Sequence, residues 1–224
     1  MLKIRSFPAV FLLAMIVSTV AGQEYSVELI NAVPEADEVS EELAGQLAST
    51  GIRVKRGSKR NVCEIWFCRE LSVDAGFKPT EERLYPFSPG QLIGLLHFSR
   101  RGSDFRDQTV GRGWYTLRFG LQPVDGNHEG TSPTRDFLML VDAEQDEHDK
   151  QWTVEDLQQM SAEAAGSTHP AMLSLQRASE GSQPAIRHDE ANDWWILHVV
   201  DQGIDGDNTQ EIPIDLVVVG HAAE

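Results

Sequence analysis

Ile52-Arg53-Val54-Lys55-Arg56-Gly57-Ser58-Lys59-Arg60-Asn61-Val62-Cys63-Glu64-Ile65-Trp66-Phe67-Cys68 is the stretch whose reading decides the fold class. Ile52 to Lys55 alternates apolar and charged side chains, the period of a half-buried strand, because successive strand side chains point to opposite faces. Gly57 to Asn61 has the composition of a turn, and Val62 to Cys68 returns as a second, more apolar strand. Together they predict a hairpin. Upstream the period changes: Val39, Leu43 and Leu47 recur every four residues within Glu35 to Ser49, which predicts an acidic helix stopped by Gly51.

Downstream, strand patterns recur at Leu92 to Ser99, Trp114 to Leu121, Asp136 to Val141, Ala171 to Leu175, Ala185 to His188, Trp194 to Val200 and Ile212 to Val219. Ser88-Pro89-Gly90, Gly111-Arg112-Gly113 and Asp205-Gly206-Asp207-Asn208 separate them as turns. A second helix is predicted from Thr153, with Leu157, Met160 and Ala164 as its apolar stripe and Gly166 at its end. About nine short strands at this spacing predict a mainly β chain, an antiparallel β-sandwich or barrel with two peripheral helices. No repeat or linker divides it, so residues 22–224 read as a single β-rich domain with an N-terminal acidic helix.

Residues 1–21 read differently. Lys3 and Arg5 precede an unbroken apolar run from Ala9 to Val17, and Thr19 and Ala21 supply small residues before Gly22. This is the layout of a cleavable signal peptide, and the run is shorter than the roughly 20 residues needed to span a bilayer. The expectation is a secreted or periplasmic protein with no transmembrane anchor in the mature chain. Cys63 and Cys68 sit five steps apart on one predicted strand, about 17 Å, too far for a disulfide, so both are expected as buried thiols.

The 224 residues carry 19 Lys and Arg against 35 Asp and Glu, a formal charge of -16. That balance argues against nucleic acid, whose recognition requires phosphates to be neutralised. With 41% hydrophobic residues, 5 Trp and 9 Phe, a sizeable core is available. The charge is uneven, since 13 of the basic residues fall between 52 and 118.

Two polar connections carry the candidate site. One, 122–136, packs Gln122, Asp125, Asn127, His128, Arg135 and Asp136 into a long link between strands, where carboxylates and an imidazole suit a polar ligand. The other, Arg100 to Gln108, brings Asp104, Arg106, Asp107 and Gln108, whose forks and acceptors suit an anion or a sugar. Arg118 lies on the strand between them. The competing reading makes both solvated loops, with Arg106 or Arg118 pairing with carboxylates of the acidic half at about 0–1 kcal/mol each if exposed. Asp125 and His128 also suggest a metal site, completed by His97, Asp107 or His169.

Familiar catalytic patterns are missing: no G-x-S-x-G, no H-E-x-x-H, no P-loop and no dinucleotide glycine fingerprint. Asp205 to Asn208 lacks the rest of a calcium loop and reads as a turn. His97 and His198 fall inside apolar strands and read as sheet histidines. Trp194 and Trp195 point to opposite faces of theirs.

Gly113-Trp114-Tyr115-Thr116-Leu117-Arg118, Gln122 to His128 and Thr134-Arg135-Asp136-Phe137-Leu138 resemble segments of a family of uncharacterised secreted bacterial proteins, as do Cys63-Glu64-Ile65-Trp66-Phe67, Tyr85-Pro86-Phe87 and Asp104-Phe105-Arg106-Asp107-Gln108. The resemblance implies one β-rich domain at the cell envelope or outside it, and implies no activity.

The leading expectation is therefore an exported, non-catalytic binding or interaction module for a polar ligand, glycan or protein, with no cofactor. A metal-assisted hydrolase using His128 and carboxylates with a divalent metal is the first alternative. A structural or assembly protein of the cell envelope is the second.

Overall fold

In the computed structural model the described residues are 24–34, 39–123, 134–147 and 150–222. The expected signal segment, and Asp125, Asn127 and His128 with most of the 122–136 connection, lie outside them.

The elements in chain order are β1 (Tyr25–Ile30), α1 (Glu41–Gln46), β2 (Gly51–Arg56), β3 (Arg60–Phe67), β4 (Leu71–Ser72), β5 (Leu92–Phe98), β6 (Gly102–Ser103), β7 (Thr109–Val110), β8 (Gly113–Leu121), β9 (Asp136–Asp142), α2 (Val154–Ala164), β10 (Met172–Gln176), β11 (Ala185–Asp189), β12 (Trp194–Asp205) and β13 (Asn208–Val219). Strands hold 46% of the described residues and helices 9%, so the structure is mainly β as the periodicity predicts. Ten strands follow one path of antiparallel neighbours, β1-β2-β3-β5-β8-β9-β10-β13-β12-β11. β4 adds to β12 in parallel through Leu71 opposite Gly203 and Ser72 opposite Ile204.

The sheet curls strongly into a half-barrel and is not a clearly closed barrel or sandwich. Its two end strands, β1 and β11, approach one another without a ladder between them. The Tyr25 ring packs on Trp195 across this seam at 4.7 Å between centroids.

Alternation divides the apolar residues between two cores. Tyr115, Leu117 and Phe119 of β8 meet Leu138 and Leu140 of β9, Leu173 of β10 and Leu197 of β12 inside the curl. On the outside, Met139, Val141, Met172, Ile196 and Val217 pack under Leu157 of α2 and Phe105. Burial of each such side chain stabilises the fold by about 1.5–3 kcal/mol. Trp194 joins the outer cluster and Trp195 the inner one, one indole to each face.

Both helices start on a side-chain cap and stop where backbone N–H groups satisfy the last carbonyls. The Thr153 hydroxyl accepts from the Asp156 N–H at 3.1 Å. Gly166 ends α2 at φ 60°, and the N–H groups of Gly166 and Ser167 reach back to Glu163 and Ala162 carbonyls. α1 is shorter than the 35–49 span expected from periodicity. Its cap is Ser40, whose hydroxyl accepts from Leu43 N–H, and Leu47 leaves the helix to bridge Cys68. Val39, Leu43 and Leu47 are nevertheless all buried.

Other departures are extensions. β12 and β13 run on through the polar 201–211 region as a ladder from Trp195 and Val219 to Asp205 and Asn208, turned by Gly206-Asp207. β1 joins the edge beside β2. Close approach fixes Gly94 on β5, since a Cβ there would collide with the Trp66 carbonyl oxygen of β3.

Cys63 and Cys68 are free and buried, and burial pushes both thiols up to about 12. Since the thiolate is the reactive form, the folded protein at pH 8 should resist iodoacetamide, and denatured protein should take up two equivalents. Mass spectrometry checks this. Rapid labelling of native protein would show that one thiol is accessible.

Candidate functional site

The 100–108 connection is a small hairpin, with β6 paired to β7 and its turn built around one carboxylate. Asp104 is buried and accepts four hydrogen bonds: from Arg106 N–H at 2.9 Å, Gln108 N–H at 2.8 Å, Gln108 Nε2 at 2.8 Å and Met172 N–H of β10 at 3.0 Å. Gln108 Nε2 also reaches the Pro170 carbonyl at 3.1 Å. Asp107 is exposed at φ 58°, a turn position.

The other predicted residues fall at separate nodes. Arg118, on the outer face of β8, forks onto Asp146 with Nε to Oδ2 at 2.8 Å and Nη2 to Oδ1 at 2.7 Å. Thr116 and Trp152 donate to the same carboxylate. The expected Arg118 pairing thus exists, but buried rather than exposed. Asp136 receives the N–H groups of Leu84 and Tyr85 at 3.0 Å, and burial holds its carboxyl above the usual range against those bonds. Arg135 Nε donates to the Gln122 carbonyl at 2.8 Å. Arg106 and Gln122 line one small cavity of about 170 Å³ with His169 and Phe137. Among the described residues, the predicted set does not gather in one concave site. Asp104, Arg118 and Asp136 anchor connections to the sheet.

Residues that do converge lie at the other end of the same hairpin. A cleft of about 250 Å³ opens beside the seam, where the β2–β3 turn meets the β5–β6 connection and the end of β13. Arg56, Arg60, Arg100 and Arg101 line it, with Asn61 and Ser103 as neutral donors. Tyr25, Phe98 and Val218 form its apolar floor and are buried. Gly102 lets the connection lie flat, since a Cβ there would sit 2.5 Å from the Phe98 ring. Arg56 pairs with Glu24 at 2.5 Å. Arg60, Arg100 and Arg101 have no ion-pair or hydrogen-bond partner for their side chains among the described residues. Burial pushes the Tyr25 hydroxyl upward, and the nearby Arg56 and Arg60 charges oppose that shift.

The sequence marks the run that contains Arg100 and Arg101 without marking those two residues. It does not join them to Arg56 and Arg60, because that juxtaposition depends on β3 pairing with β5 and on the curl. The concentration of basic residues between 52 and 118 is the one signal of it that the sequence carries.

A second cluster is likewise absent from the sequence pattern. His198 Nδ1 meets Asp215 Oδ1 at 2.6 Å on the β12–β13 ladder, with Ser179 Oγ 2.9 Å and Arg187 Nη2 3.1 Å from the same carboxylate. The residue types are those of a hydrolase triad, but the geometry is not. Ser179 lies 3.3 Å from Nδ1, the nitrogen already held by Asp215, whereas a serine nucleophile must face the opposite nitrogen. Nε2 is buried without a partner among the described residues, under Gly181. His97, the other sheet histidine, meets Glu64 at 3.0 Å and stacks on Trp114.

Among the described residues no three His, Cys, Asp or Glu side chains are grouped as a metal ion requires. No helix among them is long and apolar enough to cross a membrane. Compared with known proteins, the chain matches no family model, no curated protein and no solved structure, so no activity is carried over from a relative.

Proposed function

We propose that the protein is an exported, non-catalytic binding module that takes an anionic ligand in the cleft formed by Arg56, Arg60, Arg100 and Arg101. The observation that carries this reading is the three arginines without partners among the described residues, in a chain of formal charge -16. Carboxylates are abundant, yet among the described residues Glu24 is the one paired with an arginine of the cleft. Like charges crowded on one concave surface repel, and an anion bound among them relieves that repulsion. A curled sheet beneath supplies the rigid frame on which loops carry recognition. Export is supported by the three-part pattern of residues 1–21.

Titration calorimetry with inorganic phosphate at low ionic strength tests the reading. Each charge-assisted hydrogen bond contributes about 1.5–3 kcal/mol, so Arg60→Ala and Arg101→Ala should each weaken binding roughly tenfold or more. Added NaCl should weaken it further by screening. Both side chains are exposed and make no ion pair among the described residues, so the thermal midpoint of either variant should stay at the parental value. Unchanged phosphate affinity in the double variant would sink the assignment.

A further inference from the structure

We infer that the group accepted by this cleft is a doubly charged tetrahedral oxyanion, the terminal phosphate monoester of a larger molecule; the inference rests on the anion-binding reading proposed for the same cleft. Charge is the first argument. Four guanidinium groups line the cleft and one is matched by Glu24, leaving three without an ion-pair partner among the described residues. A carboxylate, a sulfate ester or a phosphodiester brings one negative charge and leaves most of that excess in place. A phosphate monoester brings close to two at neutral pH. Its oxygens also match the planar forks of several arginines at once, and the Asn61 amide and Ser103 hydroxyl add neutral donors.

Size is the second argument. About 250 Å³ falls below the roughly 300–1,000 Å³ of pockets that enclose a whole drug-sized ligand. The cleft holds a headgroup, and its exposed arginine rim leaves the remainder of the molecule outside. The floor of Tyr25, Phe98 and Val218 excludes water from beneath and strengthens each charge interaction above it.

The charged groups around the cleft do not offset this preference. From the start of β1 comes Glu24, from β2 Arg56, and Lys55 of the same strand is paired with Glu28. From the β11–β12 turn comes Asp193, which meets His188 at 2.8 Å and whose charge reaches Tyr25 in the cleft; with Glu24 it leaves two of the four guanidinium charges, the number that a phosphate monoester brings. The end of β13 contributes only Val218 and Val219.

Calorimetry on the full mature chain, with four small anions at pH 7.5 and pH 5.0, tests the inference. At pH 7.5 methyl phosphate should bind at least tenfold more tightly than dimethyl phosphate or methyl sulfate, which are monoanions. At pH 5.0 that advantage should vanish, because the second ionisation of a phosphate monoester lies near pH 6. Inorganic sulfate, a dianion at both values, should bind equally at both. Arg60→Ala combined with Arg101→Ala should abolish the discrimination. Equal binding of methyl phosphate and the two monoanions at pH 7.5 would overturn the dianion preference and leave the anion site standing. Failure of every anion to bind would overturn both. Sulfate affinity that moves with pH as much as methyl phosphate affinity would place the titration on the protein and overturn the argument from ligand charge.

Discussion

Asp146→Ala is expected to lower folding stability by about 3–5 kcal/mol, a loss of that size because it takes the bidentate carboxylate from a buried cation. Asp146 is fully buried and the Arg118 side chain is 6% exposed, so the guanidinium has little water to replace a bidentate carboxylate. The Gly90 carbonyl, 3.1 Å from Nη1, would remain as an acceptor, and it carries no full charge. Thr116 and Trp152 would lose the same carboxylate. Folded proteins are held by about 5–15 kcal/mol in all, so the variant should unfold at a much lower urea concentration. The mechanism has its own control. Arg118→Met combined with Asp146→Leu removes both charges, and replacing a buried pair by apolar groups is often close to neutral. The double variant should therefore be more stable than Asp146→Ala alone. A urea midpoint for Asp146→Ala within error of the parent would show that the buried pair carries no stability.

Asp104→Ala is the second large effect, at about 3 kcal/mol or more. Three backbone N–H groups, those of Arg106, Gln108 and Met172, lose their common acceptor, and each buried donor left unsatisfied costs about 1–3 kcal/mol. Relaxation of the half-buried Arg106–Gln108 turn offsets part of that sum. The node also fastens the β6–β7 hairpin to β10, and Phe105 N–H adds a bond to the Met172 carbonyl at 2.7 Å. Arg100 and Arg101 enter that hairpin directly. Loss of Asp104 should therefore weaken phosphate binding as well as folding, whereas Arg101→Ala should weaken binding alone. Calorimetric titration at a temperature where the variant remains folded separates the two. Parental phosphate affinity in folded Asp104→Ala would disconnect the hairpin anchor from the cleft.

Much of this architecture was legible in the sequence. The hairpin at 52–68, the strands through Trp114, Asp136 and Trp194, and the capped helix at Thr153 follow from local periodicity and turn chemistry, and these are local quantities. Closure was not legible. Whether a series of antiparallel strands becomes a sandwich, a barrel or a half-barrel depends on the order and twist of long-range pairs, and β10 beside β13 is one that no local pattern announces. Of the candidate site, the residue types were legible and the surroundings were not. Asp104 and Asp136 stand out by their chemistry, but a buried carboxylate beside free backbone N–H groups is a structural acceptor as readily as a ligand. Polar side chains in the sequence look alike until burial separates them. Arg60 and Arg101, far apart in the chain, needed the β3–β5 pairing to become neighbours.

The parallel pairing of β4 with β12 has a kinetic consequence. Leu71 and Gly203 are far apart in the chain, and their contact fastens the segment just after β3 to the far end of the β12–β13 hairpin, away from the Trp195 seam and its cleft. Such a closure can form only after most of the intervening chain has been ordered, since the entropy of joining distant segments must be overcome before their contact contributes. Chains dominated by pairings of this range fold in milliseconds to seconds rather than microseconds. Until that contact forms, the β12 edge at Gly203 and Ile204 stays open to pairing with another chain, and refolding yield should fall as protein concentration rises.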